Sequence, residues 1–165
     1  MADSSTTKKA LASSLKELLS EHPYKKISIS DICQKCNINR KSFYYHFKDK
    51  YDLVNWIFDS EFSSLKKSSD EMHVISLLCR YLYVNRDFYK RAFKIEGQNS
   101  LHSHFLSLCA QYVSEKLQLP PRDIAVYFYS NALVCAVERW IFEQDCISPD
   151  DFYARLCLIN ERLFS

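Results

Sequence analysis

The stretch ISISDICQKCNINRKSFYYHFKDKYDL, from Ile27 to Leu53, constrains the fold more than any other part of the chain. Ser28, with Asp31 three residues on, is a reciprocal capping pattern that opens a helix. Ile29, Ile32, Cys33 and Cys36 then fall on one face of a short helix from Ser28 to Cys36. Asn37 stands where a tight turn needs a residue tolerant of the left-handed conformation, and Ile38 plugs that turn. Asn39 caps a second short helix, Arg40 to His46, whose Phe43 and its follower Phe47, four apart, point one way into a core. Asp49 caps a further helix that carries Leu53, Trp56, Ile57 and Phe58 toward about Leu65. Two short helices about a tight turn make a helix-turn-helix.

The remainder reads as helical too. Gly97 is the only glycine and there are four prolines. All-β folds and phosphate-cradling loops need glycine for their φ > 0 turns, so a P-loop or a dinucleotide fingerprint is absent. Apolar residues make up 47% of the chain and aromatic residues 15%, enough for a sizeable core and too much for a disordered chain. Leu11, Leu15, Leu18 and Leu19 form one face of a first helix, about Thr6 to Ser20, which His22-Pro23 ends. Residues 63–71 (SSLKKSSDE) are polar and serine-rich and read as a loop between head and body. Helices follow at about 72–84, 86–95 and 99–118, with Asn85 capping the second and Gly97 stopping it. Pro120-Pro121 opens a long helix, 121–144, and Ser148-Pro149-Asp150-Asp151 opens the last, to about Leu163. The expected fold is all-α with about nine helices. A three-helix head, residues 1–49, is followed by a helical body, residues 50–165, whose first helix is the connection.

Charge is distributed in a way that bears on partners. The net charge is only +2, but residues 1–50 hold ten Lys and Arg against five Asp and Glu, and the rest hold twelve against fifteen. A basic head on an acidic body suits a head that meets nucleic acid. The start, MADSSTTKKA, has no apolar signal core, and no stretch reaches 18 apolar residues, so a cytoplasmic protein with reduced thiols and no membrane contact is expected. Cys33 and Cys36 form a CxxC with no second pair to complete a zinc site, and both face inward as small core residues.

The second motif helix presents Arg40, Lys41, Ser42, Tyr44, Tyr45 and His46 away from its core face. Such a helix lies in the major groove with its N-terminal residues at base edges. Arg40 has the planar fork that pairs with guanine O6 and N7, and Lys41 and Tyr45 are further candidates for base contact. Ser42, Tyr44 and His46, with the cap Asn39, can donate to phosphates, which fix register without reading sequence. Ser28 and Lys50, at helix starts, are further phosphate candidates. The competing reading is a solvated helix face, or for His46 a packing histidine.

These residues resemble the DNA-binding head of TetR-type bacterial regulators. Asn37-Ile38-Asn39 stands where that family shows Gly-Val-Ser, and Ser42-Phe43-Tyr44-Tyr45-His46-Phe47 where it shows Thr-Phe-Tyr-x-His-Phe. Lys50 falls on the family lysine, and Tyr51 replaces a common acid. In the body, YLYVNRDFYKRAFKIEGQNSL, Tyr81 to Leu101, is similar to the branch of dihydroxyacetone kinase regulators. The resemblance implies a transcriptional regulator on a palindromic double-stranded DNA operator, with half-sites about 34 Å apart. It also implies a homodimer through the last two helices. The alternatives it brings are a zinc-type, metal-responsive regulator and a co-activator-dependent regulator of a dihydroxyacetone kinase operon.

Helix 121–144 is apolar nearly all round, which suits burial on two sides. With the last helix it is expected to form the dimer interface, through Ile124, Phe128, Ala132, Cys135, Phe152, Leu156, Ile159 and Leu163. For a small-molecule effector the candidate pocket residues are Tyr81, Phe88, Tyr89, Phe93, His102, Tyr112 and Tyr127, with Tyr83 beside them. An aromatic stripe is also how a plain core looks, and a protein effector on the acidic body is a further possibility. His73, Cys79, His102, His104 and Cys109 are metal-ligand types whose spacing fits no closed zinc pattern, so no metal and no cofactor is expected. No glycine-based elbow or oxyanion turn accompanies them, which argues against an enzyme.

Overall fold

The computed structural model describes residues 4–66 and 71–164, with side chains over 4–63 and 74–159. Among the described residues it is all-helical. The order is α1 (Ser4–Glu21), a single 3-10 turn (Tyr24–Lys26), α2 (Ile29–Lys35), α3 (Arg40–His46), α4 (Lys50–Lys66), α5 (Glu71–Val84), α6 (Arg86–Phe93), α7 (Leu101–Leu117), α8 (Ile124–Phe142) and α9 (Pro149–Phe164). No helix among the described residues is long and apolar enough to cross a membrane.

Local chemistry sets the head. Ser28 accepts from the Asp31 N–H while the Asp31 carboxylate accepts from the Ser28 N–H, so α2 opens on a complete capping box. Asn37 takes φ 54°, in the left-handed region, as the turn requires. The Asn39 side chain accepts from the Ser42 N–H and starts α3. Phe43 is fully buried and Phe47 nearly so, packed with Leu11, Leu15, Ile32 and Leu53. Helix α1 contacts α2, α3, α4 and α6, so it belongs to the head and also touches the body. In the body α7 packs on α8 and α5 on α9.

Four boundaries differ from expectation. Ser63 to Lys66 continue α4, and residues 67–70 of the expected polar loop lie outside the described residues. The Asn85 side chain makes no cap; its Nδ2 donates back to the Tyr81 carbonyl at 2.9 Å, and α6 starts on the Asn85 carbonyl alone. Helix α6 ends at Phe93, so Gly97 does not stop it. Gly97 (φ 142°) instead lies where Tyr51 crowds the backbone, and a Cβ there would meet the Tyr51 hydroxyl at 3.0 Å. Pro120 and Pro121 do not open α8: the Asp123 N–H closes a turn onto the Pro120 carbonyl, and the Asp123 side chain caps the helix through the Ala125 N–H.

Candidate nucleic-acid interface

Phe43 and Phe47 clamp one side of α3 into the head, which turns the opposite side to solvent. Tyr45 is 82% exposed and Tyr44 52%, and Arg40 and Lys41 are exposed beside them. The Arg40 guanidinium lies 6.0 Å from the Tyr44 ring centre and its Nη2 is 3.4 Å from the Tyr44 hydroxyl. That neighbour steadies the long side chain without neutralising it. Among the described residues no carboxylate pairs with Arg40 or Lys41, so both charges remain available. His46 is half-buried, edge-on to the Tyr45 ring at 4.9 Å. Lys8 was not singled out in the sequence. Its ammonium stands over the Phe47 and Trp56 rings, 6.0 and 5.8 Å from their centres, and adds a cation beside the end of α3. Only the basic balance of the head hinted at it.

Two phosphate candidates have other work. The Lys50 ammonium donates to the carbonyls of Tyr24, at 3.0 Å, and Ile27, and sits 4.2 Å from the Tyr24 ring centre. It ties the 3-10 turn to α4, and burial pulls its pKa below the usual lysine range. In the single chain the Lys50 ammonium thus serves as a structural tie. The Ser28 hydroxyl is engaged with Asp31 at 2.7 Å, which leaves it a capping group first. Those hydrogen bonds from the Ser28 N–H and hydroxyl hold the Asp31 carboxyl below its usual range.

The aromatic residues expected to line a pocket meet different surroundings. The Glu61 carboxylate, on α4, gathers Lys16 from α1, the Tyr81 hydroxyl from α5 and the Tyr89 hydroxyl from α6, the last at 3.2 Å. Tyr89 is fully buried, and burial, with Glu61 beside it, pushes its phenol well above the usual range. Phe88 lies against Tyr89 and under the Lys16 ammonium, and Phe93 packs edge-on to Phe105. Tyr83 stacks on Trp140, Tyr112 lies in the later turns of α7, and Tyr127 is 64% exposed on α8. The Tyr81 and Tyr89 hydroxyls thus share one carboxylate where α4, α5 and α6 meet.

His102 Nδ1 meets Glu138 Oε1 at 2.6 Å, and His104 Nε2 meets Asp59 Oδ1 at 2.7 Å, so the two histidines turn to different helices. Burial pushes the Cys79 and Cys109 thiols up to about 12. The His73 side chain lies outside the described residues. Among the described residues no group of three or more His, Cys, Asp or Glu side chains could hold a metal ion.

The outer face of α8 is exposed and apolar: Ile124 is 78% exposed, Phe128 64%, and Ala132 and Cys135 follow on the same side. Tyr127 belongs there, and Leu158 and Ile159 of α9 are about half exposed. Phe152 is not on that face. It is 8% exposed and stacks on Trp140 with ring centres 4.2 Å apart, because Trp140 needs an apolar neighbour on the core side of α8. Leu156 is half-buried against the core, and the Leu163 side chain lies outside the described residues.

Two family models match the chain. Residues 11–57 match "Bacterial regulatory proteins, tetR family", and residues 70–161 match a transcriptional-regulator C-terminal region. The chain is 29% identical over 154 residues to the HTH-type dhaKLM operon transcriptional activator DhaS of Lactococcus lactis, covering 84% of this chain and 81% of that protein. A solved structure of a dihydroxyacetone kinase operon activator, DhaS, is similar with a TM-score of 0.67 at 25% identity, covering 96% of this chain and 98% of that one. A TetR transcriptional regulator from Streptococcus agalactiae shares the fold, with a TM-score of 0.71 at 18% identity over 94% of each chain.

Proposed function

The chain belongs to the TetR family of DNA-binding transcriptional regulators and is not an enzyme, and on that premise we propose that it reads a palindromic operator as a homodimer. The observation that carries this is α3, anchored by Phe43 and Phe47 with Arg40, Lys41, Tyr44 and Tyr45 all exposed. In this reading Arg40, Lys41 and Tyr45 touch base edges. Asn39, Ser42, Tyr44 and His46 touch phosphates, and Lys8 joins them. Two heads are presented together by a second copy packed on the outer face of α8 and on Ile159 of α9. Helix α4 then connects the head, residues 1–49, to the body, residues 50–165.

A second reading concerns the direction of control. Both DhaS relatives are named as operon activators, and the match covers most of this chain. This supports a regulator that activates a dihydroxyacetone kinase operon, its control coming from a small molecule or a protein partner at the body. Nothing comparable favours a zinc-responsive regulator.

Selection from randomised duplex DNA tests the reading. The expected enriched sequence is an inverted repeat whose half-site centres are about one helical turn, roughly 34 Å, apart. Enrichment of a single unrepeated site, or of none, would count against it.

A further inference from the structure

Helix α1 ends on a sequence that denies it a donor. A helix continuing past Glu21 would close the Leu19 carbonyl with the N–H of residue 23, but that residue is Pro23 and has none. The carbonyl before it, of Leu18, is met by the His22 N–H at 2.8 Å. The Leu19 carbonyl is met from the body: Arg91 Nη1, on α6, donates to it at 2.9 Å. Leu19 is buried, and a buried carbonyl without a donor is unfavourable. The guanidinium also stands at the negative end of the helix dipole. A side chain 72 positions along the chain thus completes the first helix of the head.

The same two helices meet again one turn earlier. Lys16 of α1 pairs with the Glu61 carboxylate, which also accepts from the Tyr89 hydroxyl of α6 at 3.2 Å. The Lys16 ammonium lies 5.3 Å from the centre of the Phe88 ring, also on α6. Because α1 packs on α2 and α3, whatever holds α1 also holds the helix that carries Arg40.

At its other contacts α6 is fixed to α8. The two helices pack together. Arg86, which opens α6, donates from Nη1 to Cys146 Sγ just past α8 at 3.4 Å. Lys94, which follows α6, holds its ammonium 5.3 Å from the centre of the Phe142 ring at the end of α8. Helix α6 therefore spans from the first helix of the head to the helix with the exposed apolar face. It runs beside α4, the covalent connection, as a second attachment. We propose that α6 is a strut that sets the angle of the head against α8, with Arg91 the positioning residue at its head end. Its consequence for DNA rests on the operator-reading dimer proposed above, since two heads fit two half-sites only if each keeps its angle.

Arg91 is exposed, so its replacement leaves the core intact. Arg91→Met keeps the aliphatic stem and removes the donor; Arg91→Lys returns a cationic donor. The first arm measures residual dipolar couplings of the full-length protein without DNA. Wild type is expected to fit α1 to α3 and α7 to α9 with one alignment tensor. In Arg91→Met the head tensor should be rotated or reduced against the body, and Arg91→Lys should recover much of the wild-type fit. A single tensor in Arg91→Met, or separate tensors in wild type, would overturn the strut. The second arm measures affinity for an isolated half-site, for the full operator, and for operators with the spacer changed by one base pair. Arg91→Met is expected to bind the half-site as wild type does, to lose at least about tenfold on the full operator, and to discriminate less between spacers. Half-site and operator affinities that fall together would show a weakened head instead of a misplaced one and would also overturn the proposal. A wild type with no preference for a palindrome would sink the dimer reading, and the couplings would still decide the strut.

Discussion

Phe43→Ala is expected to lower the stability of the head by about 3–5 kcal/mol, the range for truncating a buried phenylalanine. Phe43 is 0% exposed and lies edge-on to Tyr44 and against Phe47, so the lost ring leaves a void beneath the whole of α3. A seven-residue helix cannot persist without its packed face. The chain's two tryptophans separate the consequences. Trp56 packs on Phe47 at 5.7 Å and reports the head, while Trp140 stacks on Phe152 in the body. In urea denaturation of a Trp140→Phe background, the head signal should melt at markedly lower denaturant in Phe43→Ala, with DNA binding lost alongside. A shift worth less than about 1 kcal/mol would mean that α3 is not held by its core face.

Phe128→Asp is expected to turn the proposed dimer into a monomer without unfolding the chain. Phe128 is 64% exposed in the single chain, so the substitution leaves the core of one subunit intact. Its face also carries Ile124 and Tyr127, and an exposed apolar face of this kind marks an interaction site. In a two-fold interface each carboxylate would be buried against apolar side chains, which is strongly unfavourable for an unpaired charge. Sedimentation should show half the mass at micromolar protein. Operator affinity should fall by about 10²–10⁴, the usual gain from linking two binding modules. An unchanged mass would contradict a dimer formed through the outer face of α8.

What could be read from the sequence was what neighbouring residues decide among themselves. The Ser28–Asp31 box, the left-handed Asn37 and the Asn39 cap are made by groups within three residues of one another, and all are present. What could not be read depends on distant partners. Lys50 meets carbonyls 26 and 23 residues away, and only the folded head shows that its charge is used there. Tyr89 finds Glu61 across 28 residues, a pairing that no local pattern announces. Phe152 lay on the same predicted stripe as Ile159, and the position of Trp140 decides that one is core and the other exposed.

The most direct measurement is fluorescence anisotropy of the selected operator and a scrambled duplex, over a salt series, with wild type and Arg40→Ala side by side. The expected result is tight binding to the operator alone, with log K falling by about 0.9 per phosphate contact per decade of salt. Arg40→Ala should weaken operator binding by about 1–3 kcal/mol per head and relax the choice of base at one position in each half-site, with the salt slope little changed. Equal affinity for both duplexes, or an operator affinity indifferent to Arg40→Ala, would contradict a protein that reads DNA through α3.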